Sequence, residues 1–380
     1  MKDRIFGIIL VCLLIGSLAT ALAFHTFKKQ SEVLAQETET WYVDDDFIDD
    51  PANHKWNTIE EALDNANDGD IVIVYDGTYQ EHVTLDKSVT LQTTEAATID
   101  GGGTLSTVTI AADGCIVSGF SITGSGSHLG ESAGMRIDSD YNTVSGNTIG
   151  GNKQDGILLN GSYNTITNNL ISENKGSGLY MDWGYENTIE GNTILGNEDY
   201  GIYLSGQGNI LRDNVMSANG RNFGIYYYGY NDVDTSNTVD GKPIYYLVGE
   251  QDEVIDSESN AGCVIVIDSE NIVIEGLTFT NNDNGIYLCR CSDSTVQNCT
   301  ISGNERGLYL RDSHNNALCS NHIEDNSTGI MLIDSDANLI SGNTVQHNED
   351  GISLDEAYDS VIENNEVLDN DSTAIDLWDS

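Results

Sequence analysis

Three features of the sequence predict an all-β fold, a right-handed parallel β-helix. The chain repeats every 22 or 23 residues from Gly134 onward. Each copy carries two apolar positions separated by a single residue. Asparagine recurs at three fixed places after them. A spacing of two puts both apolar positions on one face of a strand, and a fixed repeat stacks each position on itself, one coil above the next at about 4.8 Å. About 12 such coils account for the chain.

The N-terminus reads as a targeting segment. Lys2 and Arg4 precede an apolar run that ends in Ala21-Leu22-Ala23, a small-x-small cleavage pattern. Residues 1–24 are expected to act as a signal peptide or, uncleaved, as an N-terminal anchor, the only contact with a membrane. Residues 25–40 form a polar linker, and the β-helix is expected over 41–380. Within about 57–67, Thr58 and Glu61 make a capping box, and Ile59, Ala62, Leu63 and Ala66 form one apolar stripe. A short α-helix capping the open end of the β-helix follows, because unpaired edge strands need cover. Residues 71–74, 89–91, 108–110 and 116–122 read as strands of a looser upstream continuation of the coil.

The regular copies start at Gly134, Gly156, Gly178, Gly201, Gly224, Gly285, Gly307, Gly329 and Gly351, with degenerate ones at Cys263 and Ala374. The first inward column runs from Met135 through Ile157, Leu179, Ile202 and Ile225 to Ile375. The second runs from Ile137 through Leu159, Met181, Leu204 and Tyr227 to Leu377. The asparagine columns start at Asn142, Asn147 and Asn152. The first includes Asn271, and the third reads as unbroken to Asn370. Asparagine tolerates a left-handed corner, and its amide can bond up and down the stack. A helical reading fails, because this density of glycine and asparagine sustains no 3.6-residue period. From Gly224 to Cys263 is 39 residues, so one coil carries an insertion within 229–258. The last copy ends at Trp378 without a polar cap, which predicts a covering partner, end-to-end or lateral self-association, or excision from a longer chain.

The composition excludes some partners. Sixty-one acids against 15 bases give a net charge of −46. Nucleic acid and anionic membrane surfaces both need a basic footprint, so neither fits.

The Asn187–Ile194 repeat and the segment Asn237-Thr238-Val239-Asp240-Gly241-Lys242-Pro243-Ile244-Tyr245-Tyr246 resemble the pectate-lyase-like β-helix repeat superfamily. More narrowly, they are similar to NosD-like prokaryotic and archaeal cell-surface β-helix proteins. The resemblance implies an exported β-helix, secreted or at the cell surface, and brings copper into consideration. The scaffold hosts lyases, hydrolases, epimerases and non-enzymes, so the fold does not settle the function.

Candidate sites follow from the columns. The position between the two inward ones faces outward and holds Tyr180, Tyr203, Tyr226, Tyr287 and Tyr309, with Trp183 and Tyr228 nearby. Such a stripe suits sugar rings, which present apolar C–H patches and hydroxyls. It equally suits plain strand propensity. Acids gather at the strand ends (Asp138, Asp182, Asp268, Asp312, Asp334, Asp355, Glu356, Asp379), as solvated charge or as Ca²⁺ ligands. Arg290 and Arg311 beside Asp312 and Asp334 are the candidates for lyase chemistry, against a bland reading as surface ion pairs. Cys289, Cys291, Cys299 and Cys319 with His314 are the candidates for a soft metal such as copper. Strand spacing keeps these cysteines too far apart for easy disulfides, so unpaired, partly buried thiols are the alternative. Sequons at Asn160, Asn298, Asn326 and Asn370 are glycan acceptors if accessible. Three functions compete. The first is a non-catalytic protein binding polysaccharide or envelope glycan along the tyrosines. The others are a polysaccharide lyase or epimerase and a copper-associated accessory protein. The acidic charge counts against the lyase, whose polymer would be repelled.

Overall fold

The protein is seen in a computed structural model that describes residues 38–226 and 229–380. The targeting segment, the linker up to residue 37, Cys12, Tyr227 and Tyr228 lie outside the described residues. Residues Thr40–Ser380 form one compact unit. It is a right-handed parallel β-solenoid of about 14 turns. This exceeds the 12 expected, because the strands upstream of residue 134 build complete coils. Thr40–Val43, for instance, pairs in parallel with Ile71–Val74, and that with Thr90–Thr93.

The capping helix spans Ile59–Asn65 and buries Ile59, Ala62 and Leu63. The Glu81 carboxylate accepts from the amides of Ile59 and Glu60 at 2.9 and 3.0 Å. At the other end the Lys87 ammonium donates to the carbonyls of Leu63, Asp64 and Ala66, each at 2.9 Å. Both charges match the helix dipole and satisfy groups that a helix end leaves orphaned.

The corners work differently from the expectation. The left-handed residue is the one before each column asparagine: Tyr141, Tyr163, Asn168, Asp213 and Asp325 all have positive φ, and Gly146 and Gly191 share the role. The column asparagines are buried amides instead. Asn192 is typical. Its Oδ1 accepts from the Asn169 backbone amide at 2.9 Å and from the Asn169 Nδ2 at 3.0 Å. Its Nδ2 donates to the Ile166 carbonyl at 2.8 Å and to the Asn214 Oδ1 at 3.0 Å. Each amide thus closes the backbone that a sharp corner cannot pair with itself. Asn271 belongs to the left-handed slot, not to the ladder; the ladder place beside it is Ile272, whose amide donates to Ser294 Oγ. Asn231 and Asn237 extend the first two ladders. The third ladder is interrupted, since the Asn219 amide turns to Asn222 within its own coil. Glycine leads each copy because the ladder crowds it. A Cβ on Gly307 would lie 2.5 Å from the Gly329 carbonyl oxygen and 2.9 Å from Ile323 Cγ2.

The segment read as an insertion is a reversal of the chain. Asp240 (φ 48°) and Gly241 (φ 76°) form a two-residue turn between Thr238–Val239 and Lys242–Val248. Positive φ at both central positions is the type I′ signature that suits the strand twist. Thr238 pairs with Pro243 and Val239 with Lys242, antiparallel. The strands on either side stay in one 15-stranded sheet. Stacking therefore continues while strand direction flips. A right-handed coil can do this only by placing its interior on the opposite face of the sheet.

The packing shows that inversion. On the strands Lys242–Val248 and Cys263–Ile267, Ile244, Tyr246, Cys263, Ile265 and Ile267 close the end of the first core. Val264 and Val266, alternating with them, open a second core that continues through Ile286, Leu288 and Leu308. The interior is thus two cores sharing a wall, not one. The otherwise open end of the first β-helix is covered by the second. The register of the last coil before the turn also differs from the expected one. Phe223 and Ile225 take the inward places opposite Ile202 and Leu204, and Gly224 lies opposite Tyr203.

Replacing Asn192 by alanine strands the Asn169 amide and the Ile166 carbonyl on the coil before and removes a donor to Asn214 on the coil after, and should lower stability by about 3 kcal/mol. Glycine at the exposed left-handed Asn168 should be neutral or stabilising. Urea unfolding midpoints of the two variants check both.

Candidate functional site

The inversion folds the outer face of one β-helix against the outer face of the other. The stripe expected to run straight is therefore broken. Tyr180 and Tyr203 stack at 5.2 Å on the first segment, and Tyr287 and Tyr309 stack at 4.8 Å on the second. In both pairs the rings lie within about 11° of parallel, so their faces are used on each other. Tyr287 is buried at 2% exposure against the first core. Tyr226 is not in the stripe, owing to the register change, and stands at the rim.

These tyrosines meet in a cleft of about 510 Å³ between the segments. Its walls are Tyr200, Tyr203 and Tyr226 on one side, and Tyr287, Tyr309 and Met331 on the other. Three carboxylates and three guanidinium groups lie among them. Arg221 reaches Asp199 at 3.1 Å and pairs across the junction with Glu305. The Tyr200 hydroxyl donates to buried Asp283 at 3.1 Å, also across the junction, and Arg306 lies 3.5 Å from the same carboxylate. Burial pushes Asp199 and Asp283 up, opposed by Arg221 and Arg306. Arg221, Arg290, Arg306 and Arg311 are four of the six arginines among the described residues, and all sit at the junction. The cleft is thus near neutral within a chain of net charge −46.

A second cavity of about 340 Å³ adjoins the cleft and shares Tyr226 and Arg311 with it. Its wall is Trp183, Tyr185, Ser205, Gln207 and Gly229. Trp183 is 58% exposed and meets Tyr226 edge-on at 5.8 Å. It sits in left-handed backbone at φ 60°, as do Tyr141 (φ 61°) and Tyr163 (φ 58°) on the same corner of earlier coils. That conformation costs an L-residue roughly 1–2 kcal/mol. Stacking of Tyr141 on Tyr163, centroids 4.9 Å apart, returns only about 0.5–1.5 kcal/mol for the pair. Asp199 leads from the cleft to a third cavity, of about 360 Å³, beside Asp155, Leu158, Tyr180 and Leu129.

The other candidates disperse. Arg290 is bound to Asp268 and the Tyr230 hydroxyl, both at 3.0 Å, so it ties the two segments together. Arg290 is also the first cause of the depressed Asp268 carboxyl. Arg311 lines the cleft, 3.8 Å from Asp312. Asp334 lies with Asp355, Glu356 and Asp379, and Asp334 is the first cause of the raised Glu356 carboxyl. All six cysteines of the described residues are free. Cys289 faces the first core, while Cys291 and Cys299 belong to the second. The Cys291 thiol donates to the Val266 carbonyl and the Cys299 thiol to that of Gln297. Cys319 pairs in register with Gln297. Burial pushes the Cys291 thiol up to about 11, so it stays protonated. His314 is exposed and accepts from the Asp336 amide. Among the described residues the one group of three convergent ligands is Asp44, Asp45 and Asp46. The sequons differ as well. Asn326 is buried in the ladder and donates to Asn348, Asn370 accepts from Asn348, and the Asn160 amide donates to Asp138. Asn298 alone of the four is exposed.

The chain is a right-handed parallel β-helix protein. Residues 106–251 match the family described as "Right handed beta helix region". Residues 228–380 match "Periplasmic copper-binding protein (NosD)", so the second segment is NosD-like. No curated protein matches the chain. Solved structures of similar architecture include the A-module of the Azotobacter vinelandii mannuronan C-5 epimerase AlgE6. It is 16% identical with a TM-score of 0.34, over 84% of this chain and 94% of that one. Pectate lyase Pel9A is 15% identical with a TM-score of 0.35, over 87% and 79%. Tailspike gp49 of Acinetobacter baumannii bacteriophage Fri1, a capsular polysaccharide depolymerase, is 12% identical with a TM-score of 0.38, over 89% and 65%. Copper, which the NosD description implies, meets no convergent set of soft ligands among the described residues: Cys289, Cys291 and Cys299 are buried, Cys319 is half-buried and His314 is exposed.

Two tests follow. Burial raises Asp155 to about 6 from an ordinary 3.8. A raised folded value stabilises below the unfolded one and is lost as pH rises through it. Asp155→Asn should therefore remove about 2–3 kcal/mol of stability loss between pH 4 and 6, read as the difference between two pH–stability curves. Expressed in an N-glycosylating host, the protein should carry glycan at Asn298 and none at Asn326, by peptide mass spectrometry.

Proposed function

We propose that this is an exported, non-catalytic protein that binds carbohydrate in the groove where its two β-helical segments meet. The observation that carries the reading is Trp183. Its indole is exposed, held in costly backbone, and set over a cavity with Tyr226, Gln207 and Arg311 around it. An open aromatic face with hydrogen-bonding groups at its edge fits a sugar ring. The stacked tyrosines contribute ring edges and hydroxyls instead. Binding is favoured over turnover by the ion pairs. Asp199, Asp283 and Glu305 are each held by a guanidinium, which leaves them spoken for as acids or bases. The apolar N-terminal run supports export. Among the described residues no helix is long and apolar enough to cross a membrane.

A glycan array probed with and without Ca²⁺ tests this. The intact protein should bind, and Trp183→Ala should weaken binding by at least about tenfold, or ~1.4 kcal/mol. Unchanged binding by Trp183→Ala, or cleavage of the bound glycan, contradicts the reading.

A further inference from the structure

Tyr141 and Tyr163 hold the same left-handed place on successive coils of the corner that carries Trp183; on the next coil that place is Glu186 (φ 51°), with Tyr185 one residue before it. The Tyr163 amide donates to the Tyr185 carbonyl at 2.9 Å, and that of Tyr141 to the Ser162 carbonyl at 3.2 Å. The three tyrosines are 62%, 43% and 44% exposed. Most left-handed corner slots in this chain hold glycine, asparagine or aspartate, which accept the conformation readily. Aromatic side chains at Tyr141 and Tyr163 make no use of a core, and their mutual stacking does not offset the backbone cost. Strain retained in an exposed residue points to a function outside the fold. The row leads along the solenoid into the cavity walled by Tyr185 and Trp183.

We infer that this corner row prolongs the binding site, and that its ligand is a linear, neutral polysaccharide lying along the solenoid axis. The inference rests on the carbohydrate reading of the Trp183 cavity and adds the ligand's class and path. Coil spacing of about 4.8 Å is close to the rise per unit of an extended pyranose chain. Successive rungs of the row therefore meet successive sugars. The stacked rings offer hydroxyls and C–H edges at that interval, which match sugar hydroxyls. Asp140 and Asp182 flank the row and Glu186 follows it, with no basic residue in the corner segments 137–145, 159–167 and 182–190. Such a margin accepts hydrogen bonds from hydroxyls and repels uronate or sulfate chains.

The test is calorimetry of the full chain against neutral β-1,4-linked oligosaccharides of glucose, mannose and N-acetylglucosamine, from trisaccharide to hexasaccharide, beside an oligouronate series. Affinity should rise at least about tenfold with length for one neutral series, and the uronates should bind more weakly. In the double variant Tyr141→Gly, Tyr163→Gly the hexasaccharide should fall to the trisaccharide's affinity, with the trisaccharide unaffected. Glycine suits both slots, so melting should stay level or rise, which keeps the variant informative. Length dependence that survives the double variant, or uronates that bind as tightly, overturns the inference while leaving the Trp183 site standing. A trisaccharide that does not bind at all overturns the carbohydrate reading itself. Concentration-dependent self-association lost in the variant, with sugar binding intact, assigns the row to a second copy of the chain instead.

Discussion

Right-handed coiling ties three directions together: the way a strand runs, the way coils accumulate, and the face of the sheet that holds the core. Reversing one while keeping another forces the third to change. The two-residue turn at Asp240-Gly241 reverses strand direction within a sheet that goes on stacking. The second interior must then open on the other face. The double duty of Cys263–Ile267 follows, with alternate side chains in two cores. So does the burial of Tyr287. So does the cleft, since two outer faces that would have continued one another in a straight solenoid now meet.

Within each segment the constraint is polar. A three-sided coil turns too sharply for its corner amides and carbonyls to pair in a sheet, and leaving them bare inside costs about 1–3 kcal/mol apiece. The asparagine ladders absorb this cost, with each amide tied to the coil before and the coil after, as Asn192 is to Ile166, Asn169 and Asn214. The same ladders explain why glycine precedes the inward pair. There is no room for a Cβ between the ladder amide and the next carbonyl. Where the ladder breaks, between Asn219 and Asn282, the two segments take over from each other. The Asn222 amide donates to the Asn281 carbonyl across the junction at 2.6 Å.

Much of the fold was legible because stacking makes each column its own control. Outside the coil at Gly224 the inward pairs and the glycines lie where the repeat puts them, and the capping helix lies where the capping box does. The asparagine columns were legible as positions but not as conformations. Asparagine is favoured both in left-handed backbone and in amide ladders, and only coordinates separate Asn271 from Ile272 as the ladder place. The site was far less legible. Spacing alone gave Tyr226 and Tyr287 to one exposed stripe. It could not show that Phe223 would displace the register by two residues, a slip that keeps every side chain on its face and so leaves the apolar pattern intact. Asp240-Gly241 was the available signal for a hairpin, but a spacing of 39 residues reads as an insertion before it reads as a reversal. Trp183 was legible only as a neighbour of the stripe, and its role came from the corner that displays it.

The account stands or falls on the reversal, because a single uninterrupted solenoid would have no cleft. Tyr200 gives direct access to it, since its hydroxyl meets Asp283 across the junction. A photoreactive benzoylphenylalanine at position 200, irradiated in the folded protein and mapped by peptide mass spectrometry, should cross-link to the peptide containing Asp283. Cross-links confined to residues of the adjacent coils, around 177 and 222, would mean that the coils run on without inverting.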